Sequence, residues 1–130
     1  MDFEAALTQE LKTIAALGNR VYPHVAPEAN AKAGVPYLIY VSSYGVRLKS
    51  LGEGFLEGKE VRAEINVMTA RYKDMKAIVN DVIELLIGME QRTIGTNGPF
   101  IQELTYNQPV ELYEEKAKLY RSVIEFNTFF

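Results

Sequence analysis

Apolar residues near the start of the chain recur at helical spacing. Phe3, Leu7, Leu11 and Ile14 fall on one stripe, with Glu4, Gln9, Glu10 and Lys12 outside it, which predicts an amphipathic helix. Asp2 and Glu4 sit in its opening turn, where they complement the helix dipole, and Gly18 is placed to end it. From Asn19 to Pro36 the pattern lapses into a linking stretch rich in Pro, Gly and Ala, long for a pure loop. Val21, Tyr22 and Val25 are expected to pin part of it to the core.

The period then changes from helical to extended. Pro36 to Tyr44 reads as a strand opened by proline and apolar on both faces, as an interior strand would be. Gly45 to Gly58 follows, with Gly52, Gly54 and Gly58 around an apolar Phe55-Leu56 pair, which reads as a long hairpin arm. Lys59 to Met68 alternates cleanly, with Val61, Ala63, Ile65 and Val67 on one side and Arg62, Glu64 and Asn66 on the other. A second helix is predicted from about Ala70 to Ile87, striped by Met75, Val79, Val82 and Leu86, with Gly88 at the C′ position. After the breakers Gly95 to Pro99 comes a short strand, Phe100 to Tyr106, halted near Pro109. The polar run Leu112 to Lys118 is expected to be a hairpin tip before a last strand, Leu119 to Phe130.

The predicted order is αββαββ: an α+β domain over 1–130 with two helices on one face of a four-stranded, mainly antiparallel sheet. Its opposite face is then left uncovered, and several aromatic and aliphatic side chains fall on it.

Composition narrows the function more by exclusion than by assertion. The 130 residues are 48% hydrophobic and 11% aromatic, enough for a sizeable core. A formal charge of −3 and a pI near 5.2 argue against sequence-reading of DNA or RNA, whose affinity comes largely from cationic contacts to phosphate. With no cysteine, disulfide scaffolds, thiolate zinc sites and cysteine nucleophiles are absent together. The opening segment is amphipathic and acidic, unlike a signal peptide. The apolar run around Val82 to Met89 is too short to span a bilayer, so a cytosolic folding site is expected.

Candidate chemistry is sparse. His24 is the single histidine and has no acidic or hydroxyl neighbour in sequence, as suits a loop residue in solvent or capping a backbone group. Carboxylates are dispersed, and Glu114-Glu115 point apart at a polar tip. The glycines of LGEGFLEGKE lack a Gly-Lys-Ser/Thr ending and carry three glutamates, which excludes a phosphate loop. No catalytic residue, metal ligand or cofactor site is expected. Candidate protein-interface residues are Tyr44, Phe55, Leu56, Phe129 and Phe130. The last two, ending RSVIEFNTFF, belong either in the chain's own sheet or against a neighbour.

The order of motifs adds a family resemblance across nearly the whole chain. It consists of a first helix, G-N-R-V-Y-P (Gly18 to Pro23), V-P-Y-L-I-Y (Val35 to Tyr40), R-A-E-I-N-V (Arg62 to Val67), a helix opening at Arg71-Tyr72, and Y-R-S-V-I-E-F (Tyr120 to Phe126). Together these resemble the tail completion, or tail-to-head joining, proteins of long-tailed bacteriophages and prophages. The resemblance implies a virion structural protein that forms a homo-oligomeric ring, expected to be a hexamer, at the head-proximal end of the tail. There it would end tube growth and meet the tail-tube and head-connector proteins, while DNA passes through without sequence recognition. It implies assembly in the host bacterial cytoplasm, no membrane and no catalysis. A small peptide- or ligand-binding module using the uncovered sheet face is the alternative, favoured by an apolar cavity beneath the arm.

Overall fold

The structure is a computed structural model describing residues 2–27 and 36–130. Helix α1 spans Phe3–Leu11, capped by Asp2, whose Oδ1 accepts from the Ala5 amide at 2.8 Å, a contact typically worth about 1 kcal/mol. Thr13 Oγ1 donates to the Glu10 carbonyl, a local bond that competes with the helix ladder. The helix therefore stops before Gly18. The chain continues into a 3₁₀ turn, Ala15–Leu17, and Gly18 closes that turn at φ 54°. Phe3, Leu7, Leu11 and Ile14 are all buried as the stripe requires.

Strand β1 is Val21–Pro23, β2 Tyr37–Ser42, β3 Val46–Ser50 and β4 Gly54–Thr69. Helix α2 covers Tyr72–Met89. Short strands β5, Arg92–Thr93, and β6, Phe100–Ile101, precede β7, Glu103–Tyr106, β8, Val110–Glu114, and β9, Leu119–Phe129. Of the linking stretch, Val21 is buried, Tyr22 half-buried and Val25 exposed. Residues 28–35, including the Val35 of V-P-Y-L-I-Y, lie outside the described residues.

The four-stranded αββαββ sheet predicted from sequence is not what forms. Among the described residues the sheet has seven strands in the order β1–β2–β4–β9–β7, with β3 alongside β4 and β8 alongside β9, and a separate two-stranded sheet pairs β5 with β6. Three local causes account for the difference. Val21–Pro23 adds to β2 in parallel, so the sheet is mixed. Gly45, at φ 93°, separates β2 from β3, although Ser43 still donates to Arg62 O. A Cβ at Gly45 would stand 2.7 Å from Val61 Cγ2 and 3.0 Å from Glu60 O, so only glycine fits this corner. Pro109, with no amide to donate, separates β7 from β8, and both then pair with the single long strand β9.

Helix α2 runs past the predicted stop because Met89 is fully buried one turn beyond Leu86. The left-handed residue that follows is Gln91, at φ 59°, and Gly88 stays inside the helix.

One face of the sheet carries the core. Leu38 and Tyr40 of β2, Val61, Ala63, Ile65 and Val67 of β4, and Ile124 and Phe126 of β9 pack with Leu7 and Leu11 of α1 and Ile78, Val82 and Leu86 of α2. Register confirms the shared side, since Ile65 stands opposite both Tyr40 and Ile124. Ser122 and Thr128 are also fully buried on this side.

Candidate functional site

The uncovered face is less apolar than expected. Its buried hydrophobic cluster lies at one end, where Tyr37, Met68 and Leu119 pack with Tyr22, Ala26 and Ile39. Burial there pushes the Tyr37 phenol up in pKa, partly offset by the nearby Arg121 guanidinium.

Beyond that cluster polar side chains are interspersed with Val41, Val110, Leu112 and Phe129. Arg121 Nε donates to Asn66 Oδ1 at 2.8 Å, and its Nη1 donates to Glu114 Oε1 at 3.2 Å. Asn66 in turn donates to Glu64, and Asn127 donates to Glu60. By register Glu60, Glu64, Glu103, Glu114 and Glu125 share this face with the two cations Arg62 and Arg121, so its charge is negative. A shallow depression of about 600 Å³ crosses it, bordered by Val41, Arg62, Glu64, Thr105 and Glu125.

The predicted arm is a β-hairpin with a register shift between Arg47 and Lys49. Strand β3 pairs with the first part of β4 from Val46↔Glu60 to Ser50↔Gly54. Arg47 Nε ties the strands together at the Leu56 carbonyl, 2.8 Å, and Ser50 Oγ accepts from the Glu53 amide within the tip. The apex, Leu51, is fully exposed, and so largely are Val46 and Phe55. Lys49 Nζ lies 5.1 Å from the Phe55 ring centroid, an arrangement that covers only part of the ring.

The candidate interface residues thus divide among three places. Phe55 and the half-buried Leu56 are on the arm. Tyr44, 89% exposed, stands at its base beneath Lys59, whose Nζ is 4.2 Å from the ring centroid. Phe130 is at the same base, paired through its backbone with Lys59 and stacked on Phe3 at 5.1 Å. Phe129 is apart from these, half-exposed on the uncovered face between Glu60 and Glu103. Around Tyr44, Lys59 and Phe130 lies an open depression of about 510 Å³, completed by Asp2, Phe3 and Pro99. Its lining mixes charge with apolar surface, unlike the apolar cavity that a small-ligand module would use.

A further exposed cluster escaped sequence reasoning. Tyr72 of α2 meets Tyr120 edge-on at 5.6 Å, and Tyr113 of β8 lies 4.9 Å from the same ring. Beside them Lys76 donates to Glu111, which also accepts from Tyr72. That bond raises the Lys76 ammonium pKa and lowers that of the Glu111 carboxyl. Reading Leu112 to Lys118 as a polar tip hid β8. The alternation of Val110, Glu111, Leu112 and Tyr113 is the signal that would have revealed it.

His24 is an exposed residue at φ 61° whose amide donates to the Tyr40 carbonyl. Among the described residues no group of His, Asp and Glu has the arrangement of a metal site, and no helix is long and apolar enough to cross a membrane.

Comparison with known proteins places these surfaces in context. A family model for tail completion protein gp17 matches residues 5–130. No curated protein matches the chain significantly. Among solved structures, a chain from the virion of a native gene transfer agent particle is 19% identical, with a TM-score of 0.68 over 97% of this chain and 92% of that one. A second solved chain is 14% identical, with a TM-score of 0.53 over 97% of this chain and 89% of its own. At such identities the likeness is one of fold.

Proposed function

The chain belongs to the tail completion protein gp17 family, structural proteins of phage tails, and from that premise we propose that it closes the head-proximal end of the tail as a homo-oligomeric ring. In this reading a single domain, residues 1–130, acts through assembly and not through catalysis. The ring, of hexameric size, stops growth of the tail tube and offers its far side to the head connector. The protein gathers in the host cytoplasm and ends at the head–tail junction of the virion. The observation that carries the reading is the family match over almost the entire chain.

The surfaces are compatible with it. Ring contacts are heterologous, so each subunit needs two different patches that complement each other. An exposed apolar arm and a depression at its base supply such a pair, with Tyr44, Phe55, Leu56 and Phe130 among their residues. The excess of carboxylates on the uncovered face suits a wall past which DNA must slide, because like charge prevents the moving polyanion from being held.

The test is binding to tail tubes made without this protein. It is expected to co-sediment with them in an amount that follows the number of tube ends and is independent of tube length. Protein that stays monomeric in the supernatant would refute ring closure; binding in proportion to tube length would refute an end-specific role.

A further inference from the structure

We infer that the arm tip of one copy seats in the arm-base depression of the next, an inference that rests on the ring reading above. The first observation is reach. Five residues of β3, at about 3.3 Å each, carry the tip roughly 17 Å from the base. Strand pairing continues on both sides of a register shift between Arg47 and Lys49, and the Arg47–Leu56 bond ties the two strands across it, so the hairpin is held as one extended arm. Leu51 at the apex is fully exposed among the described residues, and Val46 and Phe55 are exposed below it.

The second observation is complementarity. The depression has a stacked aromatic floor, Phe3 on Phe130 at 17° between planes. Pro99 and Val61 stand at its sides, and at about 510 Å³ it holds an apolar side chain together with part of a hairpin turn. Its rim on α1 is acidic, Asp2 and Glu4, and the arm presents exposed Arg47 and Lys49 on one side of β3. The rim's cation, Lys59, has a counterpart in Glu53 at the tip. Both signs therefore find partners when a second copy is the occupant. Knob and socket lie at opposite ends of the arm, so the contact is head-to-tail and repeats from copy to copy, as a ring requires.

The chain has no cysteine, which makes disulfide mapping clean. In a Leu51→Cys/Glu4→Cys double variant the two sites of one copy are separated by about the arm length, beyond the roughly 7 Å Cα limit for a bridge. Oxidation on tail tubes is expected to produce a ladder in one-chain steps that ends in a closed ring on a non-reducing gel, while neither single variant cross-links. Dimers from Leu51→Cys alone would mean that tips meet tips and would overturn the inference. Co-sedimentation of the double variant without a ladder would overturn it and leave ring closure standing. Failure of the wild-type chain to bind tube ends would remove both.

Discussion

Gly98→Ala is expected to lower stability by about 3 kcal/mol, at the upper end of what overpacking costs, and Tm by roughly 10 °C. An added Cβ would lie 2.2 Å from the Ile94 carbonyl oxygen and 2.8 Å from Ala6 Cβ. Neither neighbour is a flexible side-chain end. One is backbone of the turn in which the Ile94 amide donates to the Pro99 carbonyl, and the other belongs to fully buried α1 surface. Gln9 clamps the same turn through two bonds to Thr96, so relief requires α1 and the turn to move apart. Gly88→Ala is the control. It lies in the α2 interior, where an added Cβ meets nothing, and alanine there is expected to add about 0.5–1 kcal/mol. Urea denaturation of both variants measures the difference. Equal effects at the two glycines would contradict the packing described for the turn and for the end of α2.

These glycines show what sequence alone resolves in this chain. Gly88 stands after an apolar run and Gly98 in a breaker cluster, and both read as punctuation. Only the three-dimensional arrangement separates one that must lack a Cβ from one that merely lacks it. The helical stripe of α1 and the alternation of β4 were legible because each reflects a local period imposed by a single buried face. What was lost depended on partners distant in sequence. Val21–Pro23 is a strand because β2 accepts it in parallel, and Val110–Glu114 because β9 is long enough to pair with two successive segments. Met89 extends α2 because a core position one turn past Leu86 needs filling. For the candidate site, the apolar arm was visible in its glycine spacing. Its relation to Phe130 was not, since Lys59 and the chain end meet only through β4–β9 register.

Phe55→Ser/Leu56→Ser is expected to leave monomer stability within about 1 kcal/mol of wild type, because the arm stands away from the core. Assembly is expected to suffer far more. Loss of a buried aromatic anchor from an interface typically costs 2 kcal/mol or more, which corresponds to about a 30-fold rise in the concentration for half-assembly. Sedimentation velocity against tail tubes, alongside urea denaturation of the free protein, separates the two quantities. A variant that unfolds easily yet associates normally would assign these side chains to the core.

The most direct measurement is head–tail joining. Filled heads and tails assembled without this chain are mixed, with and without the purified protein, and joined particles are counted by electron microscopy. Joining is expected to be restored by the wild-type chain and reduced by Phe55→Ser/Leu56→Ser in step with its weaker assembly. Joining at full yield in the absence of the protein would contradict a role in completing the tail.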